Sequence, residues 1–160
     1  MAEPAPADGA NFRRAMRQLP GAVTVVTAAG REGPAGVTAT AVASVSAVPP
    51  VVLVVVDRWN WVRSRAAGSG RFAVNLLGAG QEPLAERFSH GATASFDGLP
   101  LVGDDPPLLA EVPVALRCRL VDESELYERA VLFGQVEEIA FGPPAPPLTY
   151  VDGRYRPLDG

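Results

Sequence analysis

Lysine is absent from this 160-residue sequence: all fourteen basic residues are arginine. That removes Schiff-base catalysis, and with it pyridoxal-phosphate and imine-forming aldolase chemistry. It also removes the phosphate-binding loop of pattern GxxxxGK[ST]. Cysteine and histidine occur once each, as Cys118 and His90. A single cysteine closes no disulfide within the chain, and one residue of each kind assembles no zinc cluster. A Ser-His-Asp triad would depend on His90, and no GxSxG elbow is present. The longest apolar run, Val51 to Val56, falls far short of the roughly 20 residues that span a bilayer. The start, MAEPAPADGA, is acidic and rich in Pro and Ala, unlike a signal peptide. These absences lead to the expectation of a cytoplasmic protein with no metal site. The net charge of −4 offers no general attraction to nucleic acid or an anionic membrane.

What is present is an ordinary globular balance, 48% apolar and 20% charged, enough for one core. Residues 1–10 read as a disordered tail and 11–160 as one domain. Asn11 is a plausible cap for a short helix whose apolar residues, Phe12, Ala15, Met16 and Leu19, recur at helical spacing up to Pro20-Gly21. Strands are expected at 22–29, at 37–46 as one run, and at 51–56, the last buried on both faces. A short helix capped by Asn60 should cover 60–67, a strand 71–77, and a second short helix 82–88. In 112–122, Val112, Val114, Leu116, Cys118 and Leu120 alternate with Arg117 and Arg119. An acidic turn at Asp122, Glu123 and Glu125 should lead into a strand over 130–141, bulged at Gly134. Asp152-Gly153 signals a hairpin. Six or seven strands with two or three short helices are too close together for βαβ crossovers. The economical fold is mainly β, an antiparallel barrel whose closure hides its edges.

Most candidate sites have a plain structural reading. GAGQEP (78–83) lacks the third glycine of a dinucleotide fingerprint and reads as a turn. Cys118 reads as core packing. His90, ending RFSH, is either a solvent-facing helix terminus or a ligand contact. The informative stretch is GVTATAVASVSAVPP (36–50). A strand so rich in Thr, Ala and Ser packs poorly as core, but its small side chains let a flat heterocycle approach the backbone, and its hydroxyls can reach a phosphate.

Together, FRRAMRQLPGAVTVVTA, GVTATAVASVSAVPPVVLVVV, GRFAVNLL, LAERFS and LTYVDGRYRPL, in this order over residues 11–158, resemble the short-chain flavin reductases of the FMN-binding split-barrel family. The resemblance implies a Greek-key split barrel, a homodimer, and FMN or FAD bound near the dimer interface. It further implies hydride transfer from NADH or NADPH and release of reduced flavin to a partner monooxygenase. Gly36, Val37, Thr38, Ala39, Ser44 and Ser46 match the family's flavin-binding strand motif; Thr40 and Ala41 stand where Asn or Ser, and Ser, are usual. Arg87, Phe88 and Ser89 match a second motif, in which Arg87 is the expected phosphate or ribityl partner and His90 its neighbour. Two departures stand out. Trp59-Asn60-Trp61-Val62 replaces a Ser and Thr pair, leaving Asn60 as the polar contact. Tyr127-Glu128-Arg129 replaces Gly-Asp-His, making Arg129 the candidate at the reacting centre, or else a partner of a dinucleotide phosphate or a surface ion pair. Trp59 and Trp61 are equally suited to stacking on a ring or anchoring a dimer. The rival reading is a repurposed barrel that binds a small aromatic molecule without redox turnover, as a cofactor-free isomerase or cyclase or an accessory oxygenase subunit.

Overall fold

A computed structural model describes residues 2–90 and 96–158. The chain runs α1 (Gly9–Met16), β1 (Gly21–Ala22), β2 (Thr24–Ala28), β3 (Ala35–Ala39), β4 (Val42–Ala47), β5 (Pro50–Asp57), α2 (Trp61–Ser69), β6 (Arg71–Leu76) and α3 (Glu82–Ser89). It continues through β7 (Leu101–Val102), β8 (Leu108–Leu109), β9 (Val114–Leu126), β10 (Arg129–Phe141), β11 (Leu148–Val151) and β12 (Arg154–Pro157). Seven strands form one sheet in the order β3-β2-β6-β9-β10-β5-β4, every pair antiparallel. β1, β11 and β12 make a small second sheet.

The sheet curls because of its connectivity. β3 and β4 are its two edges, yet only Thr40 and Ala41 separate them in the chain. Three backbone steps reach at most about 11 Å, so the two ends must come together. The Val55 amide donates to the Ala41 carbonyl at 2.9 Å, carrying the β4–β5 ladder back to the end of β3, and β3 comes into contact with β5 there. The expected single strand over 37–46 is therefore two strands at opposite edges. The turn at 48–49 and the helix starts lie where expected, with one shift: Asp8, not Asn11, caps α1, its carboxylate accepting from the Asn11 amide at 2.8 Å. The helix thus takes in Gly9 and Ala10.

Burial is fullest in β2, and β5 is less buried than the expected both-face burial of 51–56. β2 is buried at every residue, because Val26 and Ala28 face the barrel interior with Val54, Phe72 and Leu132. Val23, next to β2, and Val25 in it face a second core under α3, with Phe88, Leu109 and Leu148. β5 buries Val54 and Val56 but leaves Val51, Leu53 and Val55 half-exposed on its outer face, since no described element covers that face fully. The acidic residues 122, 123 and 125 lie within β9 rather than in a turn. There Glu123 pairs with Arg63, and Glu125 with both Arg63 and Arg58. The turn falls instead at Tyr127-Glu128, where Tyr127 has φ +53°. The bulge at Gly134 is present as a register shift against β9, and Asp152-Gly153 turns the β11–β12 hairpin.

Candidate functional site

An open apolar groove of about 630 Å³ lies beside the junction of β3 and β4. Its floor is the β3–β4 junction with the outer face of the barrel: Thr40, Ala41 and Ala43, then Leu53 and Val55. One wall is α1 and the residues after it, with Phe12, Arg13, Met16 and Arg17. The other wall is the β11–β12 turn, with Tyr150 packed edge-to-face on Tyr155 at 5.2 Å between ring centres. α1 is held to this turn by the Asp152 amide, which donates to the Arg17 carbonyl at 2.8 Å.

The local sequence explains the shape. Ala41 and Ala43 add only methyl groups to the floor, so a flat ring can approach the backbone. α1 buries none of its residues although its apolar positions are spaced for one face; Phe12 is 63% and Met16 44% exposed. Its apolar stripe looks into the groove rather than into a core. The space is of the size that small-molecule sites occupy, about 300–1,000 Å³. Small apolar floor, aromatic walls and cationic rim fit a planar heterocycle carrying a negative tail, which is what a flavin or a nicotinamide nucleotide is.

The residues expected at a site divide sharply. Thr40 and Ala41 line the groove. Thr38 and Ala39 do not: the Thr38 hydroxyl donates to the Ala85 carbonyl at 2.6 Å, fastening α3 to β3, and Ala39 is buried in the barrel core. The Ala39 carbonyl accepts from the Thr24 hydroxyl at 2.7 Å. Ser44 and Ser46 lie on β4, at the open edge of the sheet, on either side of a register shift. Asn60 caps α2, its side-chain oxygen accepting from the Val62 amide at 2.8 Å. Phe88 is fully buried and packs edge-to-face on Phe96, with ring centres 5.0 Å apart. The Arg87 guanidinium donates to the Asp97 carbonyl at 2.6 Å, and the Ser89 hydroxyl donates to the Glu86 carbonyl at 2.7 Å. His90 ends α3, exposed. None of these α3 residues lines the groove.

Arg129 stands opposite Asp57 on β5, one strand alternation beyond the Val55–Val131 pair. Its guanidinium is ion-paired to Asp57. The neighbouring Arg58 sits over the Trp59 ring at 5.1 Å, pairs with Glu125 at 3.3 Å, and has a buried Nε with no partner. Trp59 and Trp61 remain exposed, at 69% and 48%.

Sequence reasoning missed the α1 wall and the Tyr150 wall. The signal for α1 was present in the spacing of Phe12, Met16 and Leu19. It reads as packing until the helix is seen to bury nothing. Tyr150 carries no local signal, since its place depends on the β1–β11 pairing that brings residues 21 and 150 together.

Residues 16–159 match the family described as flavin reductase like domain. The chain belongs to this family. Among its relatives it is 36% identical, over 96% of its own length and 78% of the other's, to FMN reductase (NADH) RutF 1 of Methylorubrum extorquens. It is 38% identical, over 88% of its length and 82% of the other's, to an NADH:riboflavin 5'-phosphate oxidoreductase of Streptomyces pristinaespiralis. Among solved structures, the Streptomyces globisporus C-1027 NADH:FAD oxidoreductase SgcE6 superposes with a TM-score of 0.89 at 31% identity, covering 100% of this chain and 99% of that one. The fold is thus the flavin reductase split barrel that the sequence motifs implied. The relatives' names do not favour the repurposed-barrel reading.

Proposed function

We propose that this chain transfers a hydride from NADH to a flavin and passes the reduced flavin to a flavin-dependent monooxygenase. The observation that carries the reading is the coincidence of a family match over nearly the whole chain with a groove shaped for a flat ring at the β3–β4 junction. When bound, the flavin supplies the hydride acceptor. The protein's own residues need no acid–base step. Ala41 and Ala43 admit the ring, and the Thr40–Ala41 backbone borders one edge. Leu53, Val55, Phe12 and Met16 line the groove and would shield a ring bound there from water. The groove is open and its floor bears no charged side chain, which suits a flavin that leaves after reduction. The relatives divide between FMN and FAD in their names but agree on NADH, and we assign NADH as the donor. Asn60 caps α2 and Arg129 pairs with Asp57, and neither lines the groove.

We further assign a homodimer. Among the described residues no element covers the groove, and Trp59, Trp61, Tyr127 and Phe141 are large exposed apolar side chains. The direct assay is NADH oxidation at 340 nm with and without added FMN, FAD or riboflavin. Flavin-dependent loss of NADH is the expected result. No oxidation with any of the three would reverse the assignment in favour of a non-redox ligand.

A further inference from the structure

Six arginines of the barrel and α2 are ion-paired: Arg58, Arg63, Arg71, Arg117, Arg119 and Arg129. Among the arginines outside those pairs, Arg13 and Arg17 are the two that line the groove. Neither has a carboxylate within 4.0 Å among the described residues. They lie four residues apart at the C-terminal end of α1, where like charges on one helical face repel. Arg14 adds a third cation to the same short helix. The acidic group nearest in the groove's make-up, Asp152, belongs to the opposite wall and donates only its amide to α1. The chain as a whole is acidic, so an uncompensated pair of guanidiniums on the lip of an apolar groove is a local inversion of its charge. An anion held between them would relieve the repulsion.

The chemistry of that anion follows from the spacing. Side chains at i and i+4 start about 6 Å apart; the Arg13 guanidinium lies back along the helix beside Gly9, and on its flexible stem it can swing toward Arg17 so that the two take two linked phosphates through paired N–H donors. The two arginines that the sequence offers for a phosphate are engaged elsewhere: Arg129 by Asp57, and Arg87 by the Asp97 carbonyl outside the groove. We propose that Arg13 and Arg17 bind the pyrophosphate of NADH, so that the nucleotide lies along α1 while the flavin takes the floor at Thr40 and Ala41. The inference rests on the reductase reading and adds to it the residues that distinguish NADH from an uncharged hydride donor.

The test is the double variant Arg13→Gln/Arg17→Gln. Both positions are exposed and bear no described tertiary bond through their side chains, so the melting temperature should not change. Three quantities are compared with wild type. The first is the KM for NADH together with NADH affinity measured by its own fluorescence in the absence of flavin. The second is turnover with N-benzyl-1,4-dihydronicotinamide, a hydride donor without phosphate. The third is the affinity for FMN and for riboflavin. The expected result is a loss of about tenfold or more in NADH affinity and KM, with N-benzyl-dihydronicotinamide turnover and both flavin affinities unchanged. Raised ionic strength should weaken NADH binding in wild type and much less in the variant. Unchanged NADH affinity overturns the proposal. Weaker FMN with unchanged riboflavin also overturns it, by giving the arginines to the flavin phosphate. Equal losses with both donors overturn it by showing a structural effect. A wild type that reduces flavin with neither donor fails at the earlier step and removes the reductase reading itself.

Discussion

Cys118 stands on β9 between Phe72 of β6 and Val136 of β10 and has no exposed surface. Burial pushes its thiol from the ordinary 9.0 up to about 12, with a smaller push from the Glu137 charge. The sign of the pH effect follows. Between these values the unfolded chain loses the thiol proton and the folded chain keeps it. The contribution to stability is complete below about pH 9 and is lost as pH rises toward 12. The melting temperature should therefore fall over that range, and Cys118→Ala should remove this component of the fall. A thiol reagent such as dithionitrobenzoate near pH 8 should label the protein only as fast as it unfolds; immediate labelling of the native state would show an accessible thiol. Single residues were read with mixed success for one physical reason. Composition shows what a side chain can do, as with the core role expected of Cys118. It does not show which backbone group is near: Thr38 and Asn60 were picked for their hydrogen bonds to a ligand, and each makes such a bond to its own chain.

At the scale of elements, two segments singled out by the sequence prove to be parts of one joint. A Cβ on Gly36 of β3 would stand 2.5 Å from the Phe88 ring of α3 and 3.1 Å from that of Phe96. The Thr38 bond to Ala85 fixes the same two elements. Gly36 and Phe88 are two sides of one helix–strand contact, and neither lines the groove. Gly36→Ala should accordingly cost about 1–3 kcal/mol through overpacking, seen as a lower melting temperature, while flavin affinity of the folded fraction stays as in wild type. Loss of flavin affinity without loss of stability would place the ligand at this joint instead. The strand and helix positions themselves were legible, since Asn60, Pro83, Pro49-Pro50 and Asp152-Gly153 mark their ends by local chemistry. The division of 37–46 was not. Thr40 and Ala41 have no turn signal; what parts β3 from β4 is the need to serve both edges of one curled sheet.

The described residues form one core inside the barrel and one under α3, and large apolar side chains stay exposed at both ends of β10. Tyr127 is 87% exposed and Phe141 80%. Burying such side chains against a second copy would gain about 25 cal/mol for each Å² of apolar surface. Sedimentation at micromolar concentration should thus show twice 16.7 kDa; a single species of 16.7 kDa would contradict the dimer. Fold class was open to the sequence because turn chemistry and strand spacing are local. The groove was only half open to it, because its walls come from residues 12–17 and 150–153, which meet through long-range pairing.

The central claim is that a flavin receives its hydride in the groove floored by Thr40 and Ala41. The most direct measurement is the anaerobic bleaching of FMN at 450 nm by NADH, with wild type and with Ala41→Trp, whose indole would occupy the floor while the buried cores are untouched. Wild type should bleach one FMN for each NADH consumed, and Ala41→Trp should melt at the same temperature but leave the flavin yellow. Wild type that fails to bleach FMN, or a folded Ala41→Trp that bleaches it at the wild-type rate, would contradict the central claim.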